Sequence, residues 1–411
     1  MPTPPLTGLR VLEMTNYIAG PYCGMILADL GADVVKIENP AMGDFSRGNA
    51  PFIGGEGAGF MAINRNKRSC AINLKAPEGR DLFLRLADTA DVVIENFRPG
   101  TTRDLGVDYE TVKARNPAII YASVSAFGQT GPYGHRAGLD LIVQGMSGIM
   151  SITGEGEGRP PVKPGVPIGD LAGALYTANA IQAAYIHRLK TGEGQYIDVS
   201  LFESAVALEV WETSGYFANG VVPGPIGSAH RTSAPYQAFK TTDGYVTIGA
   251  TSPNNWHNCC AVLGLPHLEN DPRFATTAAR KARQDELAAL IEAVTMTAST
   301  GHWYRAFDAA GVPCGELYRI DQVVEDPHLI DRGFIRDLQH TTLGAVRNTG
   351  SPIHLSATPV RMERAGPVLG EHTIEVLAGV GLTAADVAGL EAAGVVKQAK
   401  IEQAAASASS P

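Results

Sequence analysis

The segment LRVLEMTNYIAGPYCGMILADLGADVVKIE, residues 9–38, sets the fold class of the chain. Its first apolar run, Leu9 to Met14, predicts a strand, and Tyr22 to Leu30 has the composition of a helix. Gly31 stands where helices favour a left-handed C-terminal residue, and the next apolar run, Asp33 to Ile37, predicts a second strand. The economical interpretation is a parallel pair of strands joined by a helical crossover.

The same alternation continues further along the chain. Pro77 to Ala90 and Tyr109 to Arg115 have helical patterns, whereas Asp91 to Glu95 and Ala118 to Val124 are apolar runs typical of strands. Strands alternating with helices in this way favour a parallel sheet with helices on both faces. We therefore predict a doubly wound, mainly parallel, Rossmann-like α/β sheet as the large domain.

The chain changes character from Gly165 onward, and its later part predicts a second domain. Gly220 to Gly227 is rich in Gly and Pro, and Thr242-Asp243-Gly244 between two apolar runs is typical of a β-hairpin. We predict the N-terminal part of the large domain at 1–205, a linker at 206–227 and a small α+β domain at 228–325. A return segment at 326–397 completes the large domain, and 398–411 is predicted to be a flexible tail.

Charge and composition exclude several classes of protein. The net charge is −9 over 411 residues and there is no long basic run, which argues against nucleic acid or an anionic membrane as the main partner. The five cysteines form no CxxC pair and show no metal-ligand spacing, which favours a reduced cytoplasmic protein without a metal site. Polar residues interrupt the longest apolar stretch, so we expect no membrane span.

Two alternatives stay open from the residues alone. Glu38, at the end of the second predicted strand, is placed like the acid that holds ribose in NAD-dependent oxidoreductases, although Thr15 to Pro21 lacks a GxGxxG pattern. Asp170 stands just before the predicted helix Leu171 to Leu189, where an Asp is a good N-cap.

An ordered series of short segments carries a resemblance to a known family. The segments are PLTGLRVLE (5–13), AGP (19–21), LGADVVKIE (30–38), NRNKRS (64–69), NFRPG (96–100), FGQTGP (127–132), GD (169–170), TGEGQ (191–195), PCG (313–315) and LGEHT (369–373). In this order they resemble the class III CoA-transferase family, which includes formyl-CoA transferases and also α-methylacyl-CoA racemases. The similarity extends over residues 6–397.

The resemblance implies an enzyme that moves CoA from an acyl-CoA to a carboxylic acid. Asp170 matches the catalytic aspartate of the family, which forms an anhydride and then a CoA thioester. It also implies two chains interlocked as a homodimer, with acyl-CoA as a substrate and no permanently bound cofactor. The segments Gly227 to His230 and Ala234 to Lys240 are similar to those of members that use dicarboxylates such as succinate.

Residue by residue, the resemblance implies a set of CoA contacts. Ile18 and Ala19 would lie beside the thioester, Ile72, Asn73, Leu74 and Lys75 along the nucleotide, Asn96, Phe97 and Arg98 along the pantetheine, and Ala137, Gly138, Leu139 and Asp140 beside the site. Asn39 and Asp104 stand where some members have a basic residue, and Arg103 is a substitute for the latter. Arg47 and Arg65 are further candidates for binding a phosphate or a substrate carboxylate.

The racemase branch is the competing function within the same family. Its proton-transferring histidine would fall at Leu139, whose side chain cannot transfer a proton, and His135 is four residues out of register. The sequence therefore favours CoA transfer. The Gly224 to His230 segment has fewer glycines than the corresponding loop of the family.

Overall fold

The computed structural model describes residues 3–401. The strands are, in chain order, β1 (Arg10–Met14), β2 (Asp33–Glu38), β3 (Phe52–Ile53), β4 (Glu56–Gly57), β5 (Arg68–Ile72), β6 (Val92–Glu95), β7 (Ile120–Ser125), β8 (Tyr196–Ser200), β9 (Tyr236–Lys240), β10 (Tyr245–Gly249), β11 (Cys314–Glu316), β12 (Ile335–His340), β13 (Gly344–Thr349) and β14 (Val396–Lys397).

The α-helices follow the same order, and two short 3₁₀ helices lie at Phe45–Gly48 and Pro266–Leu268. The α-helices are α1 (Ala19–Asp29), α2 (Ala58–Ile63), α3 (Pro77–Ala87), α4 (Thr101–Leu105), α5 (Tyr109–Arg115), α6 (Asp140–Ser147), α7 (Ile149–Ile152), α8 (Ile168–Thr191), α9 (Leu201–Leu208), α10 (Val210–Asn219), α11 (Pro253–Val262), α12 (Thr277–Ala282), α13 (Gln284–Thr295), α14 (Thr300–Ala309), α15 (Ile320–Val323), α16 (Pro327–Asp331), α17 (Thr373–Ala378) and α18 (Ala384–Ala392).

A seven-stranded sheet organises the larger part of the chain. Its order is β14-β5-β2-β1-β6-β7-β8, and its pairs are parallel except for β14, which is antiparallel to β5. The chain starts in the middle at β1, adds β2 and β5 on one side, and then adds β6, β7 and β8 on the other. This arrangement confirms the predicted α/β class with a large, mainly parallel sheet, and it creates a reversal of strand order between β1 and β6.

Both faces of this sheet are covered, which explains its apolar strands. Alternate residues such as Leu12 and Val93 enter one apolar cluster with side chains of α3, and their neighbours Val11 and Ile94 enter a second cluster with α1 and α8. The burial of every residue in β6 and β7 is what a central parallel strand requires. Successive side chains of a strand therefore enter two different apolar cores, one on each face of the sheet.

The long helix α8 determines where Asp170 lies. Residues 168–191 form the helix, which ends before Gly192 in a left-handed conformation (φ 79°) and continues after a short turn into β8. Because α8 leads into the amino end of β8, its own first turn lies at the carboxyl edge of the sheet. Small residues on its buried face allow close packing, Ala174 and Ala178 against α1 and Gly173 against Leu201 of α9.

The chain divides into two compact units. Within the described residues, one consists of 3–149, 164–214 and 328–401, and the other of Met150–Lys163 and Gly215–Pro327. The second unit contains the antiparallel sheet β11-β10-β9, with β9 and β10 paired where the hairpin is predicted. Its core includes Phe239, Trp256, Phe274 and Phe307.

The division differs from the predicted boundaries in two respects. The predicted linker 206–227 contains the end of α9 and all of α10, so it is largely helical. Residues 150–163, predicted to lie in the large domain, belong to the second unit. In the return segment, β14 adds an edge strand to the large sheet beside β5. Of the predicted tail 398–411, residues 402–411 lie outside the described part.

Candidate active site

The loops after β1 and β6 meet at the reversal of strand order. Asn96, directly after β6, accepts a hydrogen bond from the backbone N–H of Asn16 at 2.9 Å and donates one to the Asn16 carbonyl at 2.8 Å. In open parallel sheets, ligands bind outside the carboxyl ends of the strands at this reversal. The fold therefore brings two of the predicted CoA-binding segments, Ile18–Ala19 and Asn96–Arg98, to the place where a ligand is expected.

The loop after β1 is held in one conformation by buried groups. Tyr17 has φ 62°, which is unusual for a residue with a bulky side chain. Its N–H donates to Asp44 at 3.2 Å, and Lys36 donates to the Thr15 carbonyl at 2.9 Å. Lys36 is itself fully buried and paired with Glu13 and Asp44, each at 2.9 Å. The backbone beside Ile18 is therefore fixed before any ligand arrives.

Four helices begin around one apolar cluster at this edge. Ala19 of α1, Val143 of α6, Ile168 of α8 and Leu201 of α9 contribute to it. Asp170 lies two residues after Ile168, in the first turn of α8. The start of α8 and the Ile18–Ala19 segment therefore lie against the same small cluster, as a shared site requires.

Asp170 is not the N-cap of α8. The residue at that position is Pro167, which has no capping side chain, and Asp170 is the third helical residue. The cap is supplied from α6, because Oδ1 of Asp140 accepts hydrogen bonds from the N–H of Gly169 at 2.9 Å and of Asp170 at 3.3 Å. Asp140 thus has a defined structural task beside the predicted nucleophile, which leaves the Asp170 carboxylate free of the capping role.

Two opposing influences act on the Asp170 carboxyl group. A helix N-terminus favours the anion. Burial of the half-buried side chain, and after it the negative charge of Asp140, nevertheless raise the pKa of Asp170 to about 7. The expectation that the helix start stabilises the anion is thus outweighed, and the group changes charge within the neutral pH range.

Residues from two predicted CoA-contact segments, 72–75 and 103–104, line one cavity. A cavity of about 200 Å³ is bordered by Leu74, Lys75, Ala76, Pro77, Arg80, Asp104 and Leu105. Ile72 is buried in β5, the Asn73 N–H donates to the Val395 carbonyl at 2.8 Å, and neither residue is part of the cavity lining. Arg80 was missed from sequence, although an arginine in the second turn of α3, just after Lys75, is a signal for an anion site.

The other predicted cationic residues differ in burial and in whether acidic side chains already pair with them. Arg47 is buried, pairs with Glu38 at 2.8 Å and Glu56 at 3.0 Å, and lies over the Phe60 ring. Arg65 pairs with Asp29 at 2.6 Å. Both guanidinium groups therefore have structural partners that a phosphate or carboxylate would have to displace. Arg98 and Arg103 are exposed instead, and Arg103 does not line the cavity described above.

Two further predicted contacts, Asn39 and Phe97, form local hydrogen bonds within their own segments. Asn39 is exposed and accepts hydrogen bonds from the N–H groups of Ala41 and Met42, which makes it a turn-forming residue. The N–H of Phe97 donates to Glu95 at 2.8 Å, and burial raises the pKa of Glu95 to about 7. No sequence motif singles out this buried acid, which directly precedes the Asn96–Arg98 segment.

The segment before α6 presents its residues to solvent. Ala137 and His135 are exposed, and Leu139, where racemases of this family have histidine, is 72% exposed. Gly138 packs so closely on Ala126 that an added Cβ would lie 2.5 Å from the alanine side chain. The backbone path that leads to Asp140 is therefore constrained by a glycine.

Within the second unit, the Gly224 to His230 segment borders a larger cavity. The cavity measures about 650 Å³, and Gly154, Arg159, Gly227 and Ser228 are among its lining residues. The N–H of Gly227 donates to the Gly154 carbonyl at 2.8 Å, which ties this segment to residues 150–163. The rings of His230 and Tyr236 stack at 4.9 Å.

Two absences hold for the described residues. Among residues 3–401, no group of three or more His, Cys, Asp or Glu side chains is placed to bind a metal ion. In the same range, none of the helices combines the length and apolarity that a bilayer-spanning helix needs.

Fold and site together define an α/β protein with a reversal of strand order at the carboxyl edge of its sheet and a half-buried carboxyl group, Asp170, in a helix that begins at the same edge. Comparison with known proteins gives the family. The sequence model described as "CoA-transferase family III" matches residues 6–373. The chain therefore belongs to CoA-transferase family III and is an enzyme of that class.

Individual relatives cover nearly the whole chain. A succinate–glutarate CoA-transferase of Agrobacterium fabrum is 41% identical over 382 residues, covering 91% of this chain and 95% of that protein. The human succinyl-CoA:glutarate CoA-transferase is 37% identical over 374 residues, covering 91% and 85%. The crystal structure of a CAIB/BAIF family protein from Brucella suis has a TM-score of 0.83 at 39% identity, covering 92% of this chain and all of that one.

Proposed function

We propose that this enzyme transfers CoA from succinyl-CoA, or another dicarboxylyl-CoA, to a carboxylic acid, with Asp170 as the covalent carrier. The observation that carries the proposal is the half-buried Asp170 carboxyl group in the first turn of α8, released from capping by Asp140. Relatives named for succinyl-CoA with glutarate, D-citramalate and mesaconate support the substrate class.

In the first half of the reaction, the Asp170 carboxylate attacks the thioester carbonyl of the donor. The C–S bond breaks, CoA leaves as its thiolate, and a mixed anhydride joins Asp170 to the acyl group. The thiolate then attacks the Asp170 carbonyl, the anhydride C–O bond breaks, and the donor acid leaves as a carboxylate. Asp170 now carries CoA as a thioester.

In the second half, the acceptor carboxylate attacks the Asp170 thioester and the thiolate leaves again. The resulting anhydride is attacked at the acceptor carbonyl, which forms the new acyl-CoA and restores the Asp170 carboxylate. One thioester is exchanged for another, so no ATP is consumed. The anhydride must be protected from water, which agrees with the partial burial of Asp170.

The site residues have distinct proposed tasks. Ile18 and Ala19 lie beside the thioester, and Asn96, Phe97 and Arg98 lie along the pantetheine at the strand reversal. Lys75 and Arg80, at the cavity of about 200 Å³, bind the phosphates at the nucleotide end. Ala137 to Asp140 border the acyl group, and Asp140 also orients the first turn of α8.

A mass-spectrometric screen tests the function. Acyl-CoA donors are incubated with carboxylate acceptors, and we expect a new acyl-CoA together with a covalent adduct on the peptide that contains Asp170. Hydroxylamine should cleave this adduct. Asp170→Asn should give neither product, whereas Asp88→Asn, at the C-terminus of α3, is the fold control. Full exchange by Asp170→Asn would overturn the mechanism. Uptake of α-deuterium from D2O without exchange would support the racemase instead.

The predicted assembly is a separate part of the proposal. Several large apolar side chains are exposed, including Leu189 of α8 and Trp211 and Phe217 of α10. Such surface is typical of a subunit interface, which supports a homodimer. Light scattering on the purified protein should give twice the 43.3 kDa chain mass. The interlocked arrangement and the cytoplasmic location stay predictions from the sequence.

A further inference from the structure

Gln144 is a fully buried amide one turn after Asp140 on α6. Its Nε2 donates a hydrogen bond to Oδ2 of Asp140 and lies 3.4 Å from the Val166 carbonyl. The other oxygen of Asp140 accepts from the backbone of Gly169 and Asp170. A continuous chain of hydrogen bonds therefore runs from Gln144 through one carboxylate to the backbone of the predicted nucleophile.

A purely structural role does not explain an amide at this position. Its Oε1 is buried without a hydrogen-bond partner among the described residues. The adjacent Val143 belongs to an apolar cluster, where a leucine or methionine would avoid the cost of burying an unsatisfied polar atom. What an apolar side chain would not provide is the bond to Asp140.

We propose that Gln144 is a positioning residue, which holds Asp140 on the first amides of α8 and so fixes the orientation of the Asp170 carboxyl group. This inference rests on the proposed role of Asp170 as nucleophile. Both carboxylate oxygens of Asp140 are occupied: Oδ1 accepts from the first amides of α8, and Oδ2 accepts from Gln144 on α6. Loss of the Gln144 bond leaves Oδ2 unsatisfied and frees the Asp140 side chain to rotate away from α8.

Asp140 is the charged neighbour through which a change at Gln144 would affect Asp170. The acidic side chains on the other elements packed against α8 are Asp29 of α1, Asp198 of β8 and Glu203 of α9. Asp29 is paired with Arg65, Asp198 accepts a hydrogen bond from the backbone of residue 129, and Glu203 is exposed. After burial, the cause that raises the pKa of Asp170 is Asp140. A displaced Asp140 therefore changes both the position and the ionisation of the nucleophile.

The first test compares Gln144→Leu with Gln182→Leu. Gln182 is a half-buried amide further along α8 that donates to the Ala178 carbonyl at 3.0 Å, so it matches the chemistry without the link to Asp140. We expect Gln144→Leu to lower kcat roughly tenfold, with KM changed less than about twofold, because misplacement of a reacting group mainly affects the chemical step. The acidic limb of its pH–rate profile should also move. Equal kcat and equal pH profiles in the two variants would overturn the proposal.

The second test uses Gln144→Glu, which preserves shape. When neutral, this carboxyl group donates its O–H to Asp140; when ionised, it repels Asp140. The ratio of the variant's kcat to that of the wild type should therefore be near one at pH 6 and fall several-fold by pH 8.5. A constant ratio would overturn the role.

These tests also separate two kinds of failure. Melting curves identify which variant is folded, and either variant alone decides the question. A wild-type protein without exchange activity would overturn the proposed function and this role together. An active wild type with unaffected Gln144 variants would overturn the positioning role alone.

Discussion

The start of α8 and the cavity beside α3 use charge in opposite ways. At α8, two carboxyl groups, Asp170 and Asp140, lie close together and partly away from water. At the cavity, Lys75 and Asp104 are exposed, and the half-buried Arg80 forms a surface ion pair with Asp81 at 3.1 Å. The first arrangement costs stability and changes a pKa, whereas the second leaves each charge screened.

The contrast fits two different tasks, the chemical step at the start of α8 and the binding of phosphate at the cavity. A nucleophile gains from a site where burial tunes its charge, and a small displacement there is costly. A phosphate anchor works with solvated cations, each of which contributes little. We therefore expect the effects of substitution to decrease from Asp170, through the loop at the strand reversal, to the cavity.

Asp170→Asn should give the largest effect. Loss of the covalent carrier should reduce exchange on the order of 10³-fold or more. The variant should also be more stable than wild type at pH 8. The folded pKa of about 7 lies above the unfolded value of 3.8, so ionisation of Asp170 destabilises the fold progressively from about pH 4 to 7 and fully above it. Melting temperatures at pH 5 and pH 8 measure this difference.

A matched substitution at the cavity tests the same contrast between the two regions. Asp104→Asn, at the exposed cavity, should leave the melting temperature nearly unchanged at both pH values. A decrease in stability of Asp170→Asn at pH 8 would contradict the desolvated state of the carboxyl group.

Asn96→Ala should give the next effect, because it releases the loop after β1. Two hydrogen bonds to the Asn16 backbone are lost, which costs on the order of 1–3 kcal/mol in the free energy of unfolding. We expect exchange to fall roughly tenfold. Asn116→Ala is the matched control, since Asn116 donates to the carbonyls of Ala87 and Ala90 at the opposite edge of the sheet. It should lose similar stability in denaturant titrations and keep its activity.

The sequence was sufficient for the parallel sheet but not for its outer edge. The apolar runs that predict β1, β2, β6 and β7 stand out because these strands lie inside the sheet and are buried on both faces. Strand β5, RSCAI, begins with an arginine and a serine that have specific partners, Asp33 and Glu38. Its two-residue neighbour β14 is set only by tertiary pairing. Neither has a local pattern that distinguishes it from a loop.

The candidate site divides in the same way. Strand order brings the segments that contain Ile18 and Asn96 to the carboxyl edge of the sheet, whereas their contacts with CoA stay predictions from the resemblance to the family. The interpretation of Asp170 as the N-cap of α8 was wrong, because the capping oxygen belongs to Asp140, thirty positions earlier in the chain. The raised pKa of Asp170 follows from burial and a through-space neighbour, neither of which a linear sequence displays.

Asp140→Asn should have a smaller effect than either substitution above, because it removes the charge and keeps an oxygen for the α8 amides. Without that charge the pKa of Asp170 falls, so the acidic limb of the pH–rate profile should move to lower pH. Gln144 can adapt by rotating its amide, so that its unpartnered Oε1 accepts from the new Asn. The ratio of kcat at pH 6 to kcat at pH 8 should therefore rise. An unchanged ratio would mean that Asp140 acts on Asp170 mainly through geometry.

Arg80→Ala should give the smallest effect, at the solvated end of the comparison. Removal of one screened cation should weaken CoA binding about two- to fivefold, and less as the ionic strength rises. Binding of CoA and of the analogue that lacks the 3′-phosphate is measured by calorimetry. Arg103→Ala is the control, because this exposed neighbour does not line the cavity. If Arg80 binds that phosphate, its removal should weaken CoA and leave the analogue unaffected. Equal losses for both ligands would place Arg80 at the diphosphate instead, and equal behaviour of the two arginine variants would remove Arg80 from the site.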